Sequence, residues 1–321
     1  MGVKCISRKT IGVIIEKRAQ KGDGGIVRIF ALELDNDIRG IASRKEYIEG
    51  LIAQLPSPDL VVLPELSLCG YMASQDIWQY ADDKGRDATA WATEMAGAYD
   101  TYIGVGYLDW DDGDYYNRYL IAGPDGVCGI VTKSEGESAV FKRGDFGNVI
   151  DTPFGKVGVA ICVDSRRRHF YENVRGEELS LILFPHGASA NPNTPVRERE
   201  DNFARCMAYV DAFGVPVVYA NCTGELDRMP GITGWLMERL GFRLNGMSRI
   251  YAEYLEPVTI DVAEAVGADV RVRPRRCRMR VPFHDDDVLP GNWLFRHTVL
   301  KVDTLLGVKS YEANKTPPAW D

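Results

Sequence analysis

Three side chains suited to covalent catalysis each follow a short apolar stretch of the sequence. They are Glu65 after residues 60–64, Lys133 after residues 127–132, and Cys162 after residues 157–161. Apolar runs of this kind predict buried strands, and ligands of α/β sheets bind beyond the carboxyl ends of the strands. A carboxylate, an ammonium and a thiol at such ends can converge on one substrate, with the thiol as nucleophile. The sequence therefore predicts a catalytic site.

The surroundings of Cys162 and Glu65 favour reactive roles. Small and β-branched residues precede Cys162, and the polar, basic stretch from Asp164 predicts a helix start, as at a nucleophile elbow. Glu65 follows an apolar strand and a proline, where desolvation raises the pKa of a carboxylate toward that of a general base. The alternatives are a buried structural cysteine, a carboxylate that opens a helix, and, for Lys133, a solvated lysine.

Longer motifs surround these positions and continue beyond them. They are LPELS at 63–67, YN at 116–117, PDG at 124–126, TK at 132–133, ESAVF at 137–141, GD at 144–145, TPFGKVGVAICVD at 152–164, AN at 220–221 and GMS at 246–248. On these residues the chain resembles the nitrilase superfamily of carbon-nitrogen hydrolases, which work through a Glu, a Lys and a Cys. The resemblance spans about residues 26 to 270 and implies an α/β fold, the four-layer αββα sandwich.

The resemblance also implies a reaction, the hydrolysis of an amide in two halves. Glu65 takes the thiol proton of Cys162, whose sulfur attacks the carbonyl carbon. Lys133 and the backbone N–H of Val163 hold the oxyanion while ammonia or an amine leaves. Water activated by Glu65 then releases the acid from the thioester, so neither a metal nor an organic cofactor is expected.

Three further side chains are candidates for the pocket. Glu137 matches a second glutamate that lines the site and orients the substrate in many relatives, although Glu135 competes for that role because the interval from Lys133 is shorter than usual. His186 and Asn221 end predicted strands at the catalytic edge and are expected to line the pocket. The alternative for these two is a polar residue satisfied at a strand end.

The segment after the nucleophile bears on the substrate. It reads Cys162-Val-Asp164-Ser-Arg166, whereas true nitrilases usually show Cys-Trp-Glu. This pattern favours an amidase or N-carbamoyl amidohydrolase over a nitrilase, with an N-acyltransferase or an inactive scaffold of the same fold as further alternatives. Arg166 matches an arginine that binds a substrate carboxylate in carbamoylases, and a structural salt bridge is its other interpretation. The family Glu-Asn pair before the strand at 215 is Ala212-Phe213 here, which predicts an unusual pocket wall.

The rest of the sequence supplies elements that can position these groups. Strand-like runs lie near 26–33, 59–63, 102–107, 118–122, 127–131, 157–161, 179–184 and 215–220. Helical patterns cover 45–55, 89–99 and about 196–213. In the third helix we expect an apolar stripe of Phe203, Met207, Val210 and Phe213 to contact the core.

Composition narrows the class of protein. The 321 residues are 45% hydrophobic, enough for a buried core, and the formal net charge of −8 argues against general nucleic-acid binding. No apolar run approaches the length that crosses a bilayer, and the first residues lack the apolar core of a signal peptide, so a cytoplasmic location is expected. The seven cysteines show no paired spacing and are interpreted as free thiols.

We divide the chain into an N-terminal extension (1–25), a carbon-nitrogen hydrolase domain (26–283) and a C-terminal tail (284–321). In relatives such tails often cross to a neighbouring subunit, so the resemblance implies a homodimer or a higher homo-oligomer. His284 with Asp285–Asp287 could coordinate a cation, and a solvated acidic loop is the favoured interpretation.

Overall fold

The structure of the protein is a computed structural model that describes residues 25–320. Its strands are β1 (Ile26–Leu32), β2 (Leu34–Asp35), β3 (Leu60–Val62), β4 (Asp82–Asp83), β5 (Tyr102–Asp111), β6 (Asp114–Gly123), β7 (Gly126–Thr132), β8 (Val149–Thr152), β9 (Gly155–Val159), β10 (Leu179–Pro185), β11 (Ser189–Ala190), β12 (Val217–Ala220), β13 (Cys222–Glu225), β14 (Arg243–Asn245), β15 (Arg249–Tyr251), β16 (Leu255–Val258) and β17 (Ala265–Arg271). Its α-helices are α1 (Ile41–Ile52), α2 (Arg86–Tyr99), α3 (Arg168–Val174), α4 (Pro195–Phe213), α5 (Gly231–Arg239) and α6 (Leu300–Asn314). Short 3-10 helices cover Gln75–Tyr80 and Cys162–Arg166, and a π-helical turn covers Phe295–Val299.

Within the described residues, most strands belong to two large sheets. The first sheet has the order β16-β17-β1-β3-β5-β6-β7, with β4 beside β5, and the second has the order β15-β12-β10-β9-β8. Strands β1, β3 and β5 are parallel, as are β9, β10 and β12. A smaller sheet, β11-β14-β13-β2, joins loops beyond them.

The two large sheets pack face to face, and helices cover their outer faces. Strand β1 shows why, because its side chains alternate between two cores. Val27 and Ile29 point between the sheets, where they meet Leu181 of the second sheet. Phe30 points outward and packs against the helix residues Ile48 and Trp91. Helices α3 and α4 cover the outer face of the second sheet in the same way. The αββα sandwich is confirmed.

The predicted elements are confirmed, with one correction in the third helix. Each of the eight predicted strands and three predicted helices has its counterpart, with shifts of a few residues at the ends. In α4, however, Phe203 is 53% exposed. The buried face of this helix carries polar residues as well as apolar ones: Asn202, Arg205, Cys206, Tyr209, Val210, Ala212 and Phe213. Because polar residues also lie on the buried face, the apolar pattern alone predicted a stripe that is displaced from the centre of that face.

The two ends differ in what the structure shows. The predicted extension lies outside the described residues except for Gly25. The tail packs on its own chain: Tyr311 is buried, and its hydroxyl donates to Asp114 at 3.0 Å and accepts from the backbone N–H of Tyr115 at 2.8 Å. Crossing of the tail to a neighbouring subunit stays a prediction. No helix in residues 25–320 has the length and apolar character that a membrane span requires.

Candidate active site

Glu65, Lys133 and Glu137 form a buried ionic cluster at the edge of the first sheet. Glu65 follows β3 and Lys133 follows β7, which runs in the same direction because two antiparallel pairings separate β7 from β5. The ammonium of Lys133 lies 2.6 Å from Glu65 Oε1 and 2.9 Å from Glu137 Oε2. Burial would lower the pKa of Lys133, but the two carboxylates outweigh it and raise that pKa well above its ordinary value. Lys133 is therefore an ammonium at neutral pH.

Both oxygens of Glu65 are held by hydrogen bonds. Oε1 accepts from Asn117 Nδ2 at 2.7 Å as well as from Lys133, and Oε2 accepts from the backbone N–H of Gly187 at 2.8 Å. The side chain is fully buried, and this burial raises its pKa even though Lys133 opposes the shift. A fixed carboxylate with a raised pKa has the properties of a general base.

Glu137, and not Glu135, contacts the lysine. Tyr71 donates its hydroxyl to Glu137 Oε1 at 2.5 Å. Burial alone would raise the pKa of Glu137, but Lys133 and Tyr71 outweigh it and hold that pKa below its ordinary value. Glu135 instead pairs with Arg167 at 2.9 Å. The structure thus places Glu137, and not Glu135, beside the ammonium, and its role in orienting the substrate stays a prediction.

Cys162 lies at a sharp turn that faces this cluster. It follows β9 directly after Ala160 and Ile161, and its φ of 51° is in the left-handed region that side chains other than glycine seldom adopt. The predicted helix is interrupted: a 3-10 turn covers Cys162–Arg166, Arg167 is extended, and α3 begins at Arg168. Val163 therefore lies in the first turn of a helix, where backbone N–H groups lack an intrahelical partner.

The thiol of Cys162 is protonated at rest. Burial raises its pKa and the charge of Glu65 raises it further, while Lys133 and the N–H of Gly187 oppose the shift. A thiol in this state needs a base before it can attack. Glu65 has a raised pKa, and its charge acts on the thiol across the site, so it is the candidate for that base.

Asp164 connects the turn at Cys162 to the turn after Lys133. Its carboxylate accepts backbone hydrogen bonds from Ser134 at 2.7 Å and from Glu135 at 2.8 Å. His169 lies between Glu135 and Asp164, at 3.4 and 3.5 Å. Burial opposes protonation of this imidazole, but the two carboxylates raise its pKa to about 9. An imidazolium therefore braces the two carboxylates at neutral pH. Asp164 belongs to the motif at 152–164, but no pattern in the sequence predicts this contact.

We expect Asp164→Asn to lower kcat/KM by about 10- to 100-fold, because loss of the charge weakens both backbone hydrogen bonds that place Lys133 beside Glu65. NMR titration should also show the pKa of His169 falling toward its ordinary value. Asp151→Asn, which neutralises an exposed carboxylate on β8, is the matched control. Unchanged kinetics in Asp164→Asn would show that the turn after Lys133 keeps its position without this carboxylate.

Arg166 engages a carboxylate of its own chain. Its Nε lies 3.1 and 3.2 Å from the two oxygens of Asp287, and about a third of its side-chain surface stays exposed. Arg167 and Arg296 also pair with Asp287. The expectation of a solvated acidic loop is thus wrong for Asp287, which is 3% exposed because three guanidinium groups surround it. The salt-bridge alternative for Arg166 is present, and a contact with substrate stays a prediction.

His186 lies behind the turn at Cys162. Its Nε2 is 3.1 Å from the hydroxyl of Ser165, which itself donates to the carbonyl of Cys162 at 2.6 Å. The imidazole therefore donates through Nε2, and its Nδ1 has no hydrogen-bond partner in the described chain. Burial, followed by the charge of Arg205, holds the pKa of His186 well below its ordinary value, so the ring is neutral.

Asn221 supports the loop after β10. Its Oδ1 accepts from the N–H of Ala188 at 2.8 Å, and its Nδ2 contacts the carbonyl of Ala188, the side chain of Asn245 and the carbonyl of Gly246 at 2.8 to 3.1 Å. Its polar atoms are thus satisfied within the chain, as in the alternative interpretation. A role in substrate binding stays a prediction.

Two partners of the cluster could not be predicted from the sequence. Tyr71 lies 66 positions before Glu137, and Gly187 lies 122 positions after Glu65. A Cβ at Gly187 would come within 2.2 Å of the ring of Tyr71, so glycine is required for the close approach of this loop. Neither residue belongs to a local pattern that signals such a contact.

Comparison with known proteins agrees with this geometry. Residues 39–261, well over half of the chain, match the carbon-nitrogen hydrolase family. A probable nitrilase of Schizosaccharomyces pombe is 24% identical over 57% of this chain and 68% of its own length. Omega-amidase NIT2-B of Xenopus laevis is 28% identical over 39% of this chain, and N-carbamoylputrescine amidase of Arabidopsis thaliana is 30% identical over 38%. The alignments span 50% and 44% of these two amidases.

Solved structures share the fold. The carbon-nitrogen hydrolase of Helicobacter pylori G27 superposes with a TM-score of 0.59 and 20% identity, over 76% of this chain and 89% of that protein. The family match and the shared fold together confirm the resemblance to the nitrilase superfamily. The chain belongs to the carbon-nitrogen hydrolase family.

Proposed function

We propose that the protein hydrolyses a linear carbon-nitrogen bond of an amide or N-carbamoyl group through a thioester on Cys162. The observation that carries the proposal is the buried cluster of Glu65, Lys133 and Glu137 beside the turn of Cys162. It provides a base, an oxyanion-stabilising cation and a nucleophile at one place. The omega-amidase and carbamoylputrescine amidase relatives support this substrate class.

In the first half-reaction Glu65 accepts the proton of the Cys162 thiol as the sulfur forms a bond to the carbonyl carbon. The negative charge that develops on the oxygen is stabilised by Lys133 and by the N–H of Val163. Lys133 keeps its own proton because its pKa is raised by two carboxylates. The amine therefore takes its proton from Glu65 as the carbon-nitrogen bond breaks.

In the second half-reaction water attacks the thioester. Glu65, again ionised, takes a proton from this water, and a second tetrahedral oxyanion forms beside Lys133. Its collapse breaks the carbon-sulfur bond, returns the proton from Glu65 to the sulfur and releases the carboxylic acid. Glu137, bound to Lys133 and Tyr71, keeps the ammonium in place through both halves.

A substrate panel tests the proposal. We expect ammonia or amine release from short amides and ureido compounds to exceed that from nitriles of the same length. The sequence after Cys162 and the amidase relatives favour this order. Preference for nitriles would instead indicate a nitrilase, as the name of the Schizosaccharomyces pombe relative suggests for that protein. Transfer of the acyl group to added amines in place of water would identify an acyltransferase. We also propose that the protein is a homodimer or a higher homo-oligomer and that it is cytoplasmic.

A further inference from the structure

Arg205 is a buried cation without a matching anion. It lies on the inner face of α4 and is 4% exposed. Its guanidinium donates to the side-chain oxygen of Asn202 at 2.6 Å and lies 5.3 Å from the centre of the Tyr219 ring. Its Nε has no hydrogen-bond partner, and no carboxylate of residues 25–320 forms an ion pair with it.

The neighbouring cations already have carboxylate partners. Lys133 contacts Glu65 and Glu137, and Arg166 contacts Asp287. The thiol of Cys206, next to Arg205 along the helix, cannot supply a negative charge at neutral pH because burial raises its pKa to about 11. Arginine stays protonated in proteins, and an unpaired charge is strongly unfavourable in the interior. The position of Arg205 thus calls for an anion that the described chain does not provide.

This cation lies near the reacting centre. The ring of Tyr219 also contacts the imidazole of His186, with ring centres 4.6 Å apart. His186 reaches the turn at Cys162 through Ser165. The charge of Arg205 acts on both His186 and Cys162, which places it within electrostatic range of the thiol.

Further polar atoms around Arg205 lack partners. The hydroxyl groups of Tyr209 and Tyr219 are buried and form no hydrogen bond within the described chain. Tyr209 is four residues after Arg205, so both side chains lie on one face of the helix. Two phenol hydroxyls and a guanidinium Nε are all able to donate, which is the chemistry that recognises a carboxylate.

We propose that Arg205 binds a carboxylate of the substrate and so selects small amides or ureido acids that carry an acidic group. The inference rests on the proposed function and names the substrate class of the same site. It differs from the hypothesis for Arg166, because the charge of Arg166 already has Asp287 as a partner. Arg205 is in this view a specificity-determining residue.

The test compares matched substrates. The first pair is the monoamide of succinic acid and the same amide with an isopropyl group in place of the carboxylate. The second pair is ureidopropanoate and its isopropyl counterpart. We expect the wild type to prefer the acidic member of at least one pair, and Arg205→Gln to lower kcat/KM for that member by at least about 10-fold. The neutral member should stay within about twofold.

Three further variants and measurements separate binding from folding. Arg205→Lys should keep part of the preference, because an ammonium retains the charge but not the planar pair of donors. Arg199→Gln, an exposed arginine on the same helix, should leave both substrates unchanged. The melting temperature of Arg205→Gln should be equal to or above that of the wild type, since an unpaired buried charge is removed. If Arg205→Gln does not fold, the same substrate comparison on Arg205→Lys decides.

An equal loss for acidic and neutral substrates, together with a lower melting temperature, would give Arg205 a structural role and overturn the inference. The same conclusion follows if the wild type shows no preference for the acidic substrates. Complete inactivity toward all four compounds would contradict the proposed function instead. In that case calorimetry with succinate still decides: binding by the wild type and loss of binding in Arg205→Gln supports the inference, and no difference between them refutes it.

Discussion

Cys162→Ala is expected to lower turnover by about 10⁴-fold or more, since no covalent intermediate can form without the sulfur. The methyl group of alanine fits the space of the thiol, so the melting temperature should change little. Steady-state kinetics on the best substrate of the panel measure the effect. Mass spectrometry of the wild type during turnover should find the acyl group on the peptide that contains Cys162.

Cys128→Ala is the matched control. Cys128 is also partly buried, but it lies on β7 and takes no part in the ionic cluster. Its replacement should leave kcat unchanged. Ordinary activity in Cys162→Ala, with iodoacetamide labelling a different cysteine first, would show that the thioester mechanism is wrong.

Glu65→Gln is expected to lower kcat by about 10²- to 10⁴-fold, the range typical of removing a general base. The amide cannot take the proton of the Cys162 thiol, whose raised pKa leaves it unreactive without a base. Glu65 must be ionised to act, and burial raises its pKa. Activity of the wild type should therefore fall as the pH drops through a value above the ordinary glutamate range, and Glu65→Gln should lack this acid limb.

A second comparison tests whether the effect belongs to the base. Glu46→Gln alters an exposed carboxylate on α1 and should leave the pH profile unchanged. Glu137→Gln keeps the base but weakens the hold on Lys133, so it should lower kcat while the acid limb persists. An acid limb that survives in Glu65→Gln would assign proton transfer to another group.

The meeting of Glu65 and Lys133 could be predicted from the sequence because it depends on local patterns. Glu65 and Lys133 each follow an apolar strand, and strands that run in one direction bring such positions to one edge. The 2.6 Å contact between the two side chains agrees with that argument. Nearly continuous runs of apolar residues likewise made β1 and β10 recognisable.

The contacts that tune the cluster come from distant parts of the chain. Tyr71 meets Glu137 because the loop after β3 folds over the sheet, and Gly187 reaches Glu65 from the end of β10. No spacing pattern in the sequence predicts these long-range contacts. Arg205 was missed for a different reason: an apolar stripe was sought on α4, whereas its inner face also carries polar residues. A polar residue on a buried helix face breaks the pattern that would reveal that face.

Asp287 ties the C-terminal segment to the turn that carries Cys162. Its carboxylate joins Arg166 and Arg167, just after Cys162, to Arg296 at the start of the final helical segment. A proteolytic cut or an inserted label between 288 and 299 should thus silence the enzyme even though it lies far along the chain from the thiol. A loss of activity would therefore report that this distant segment is no longer intact.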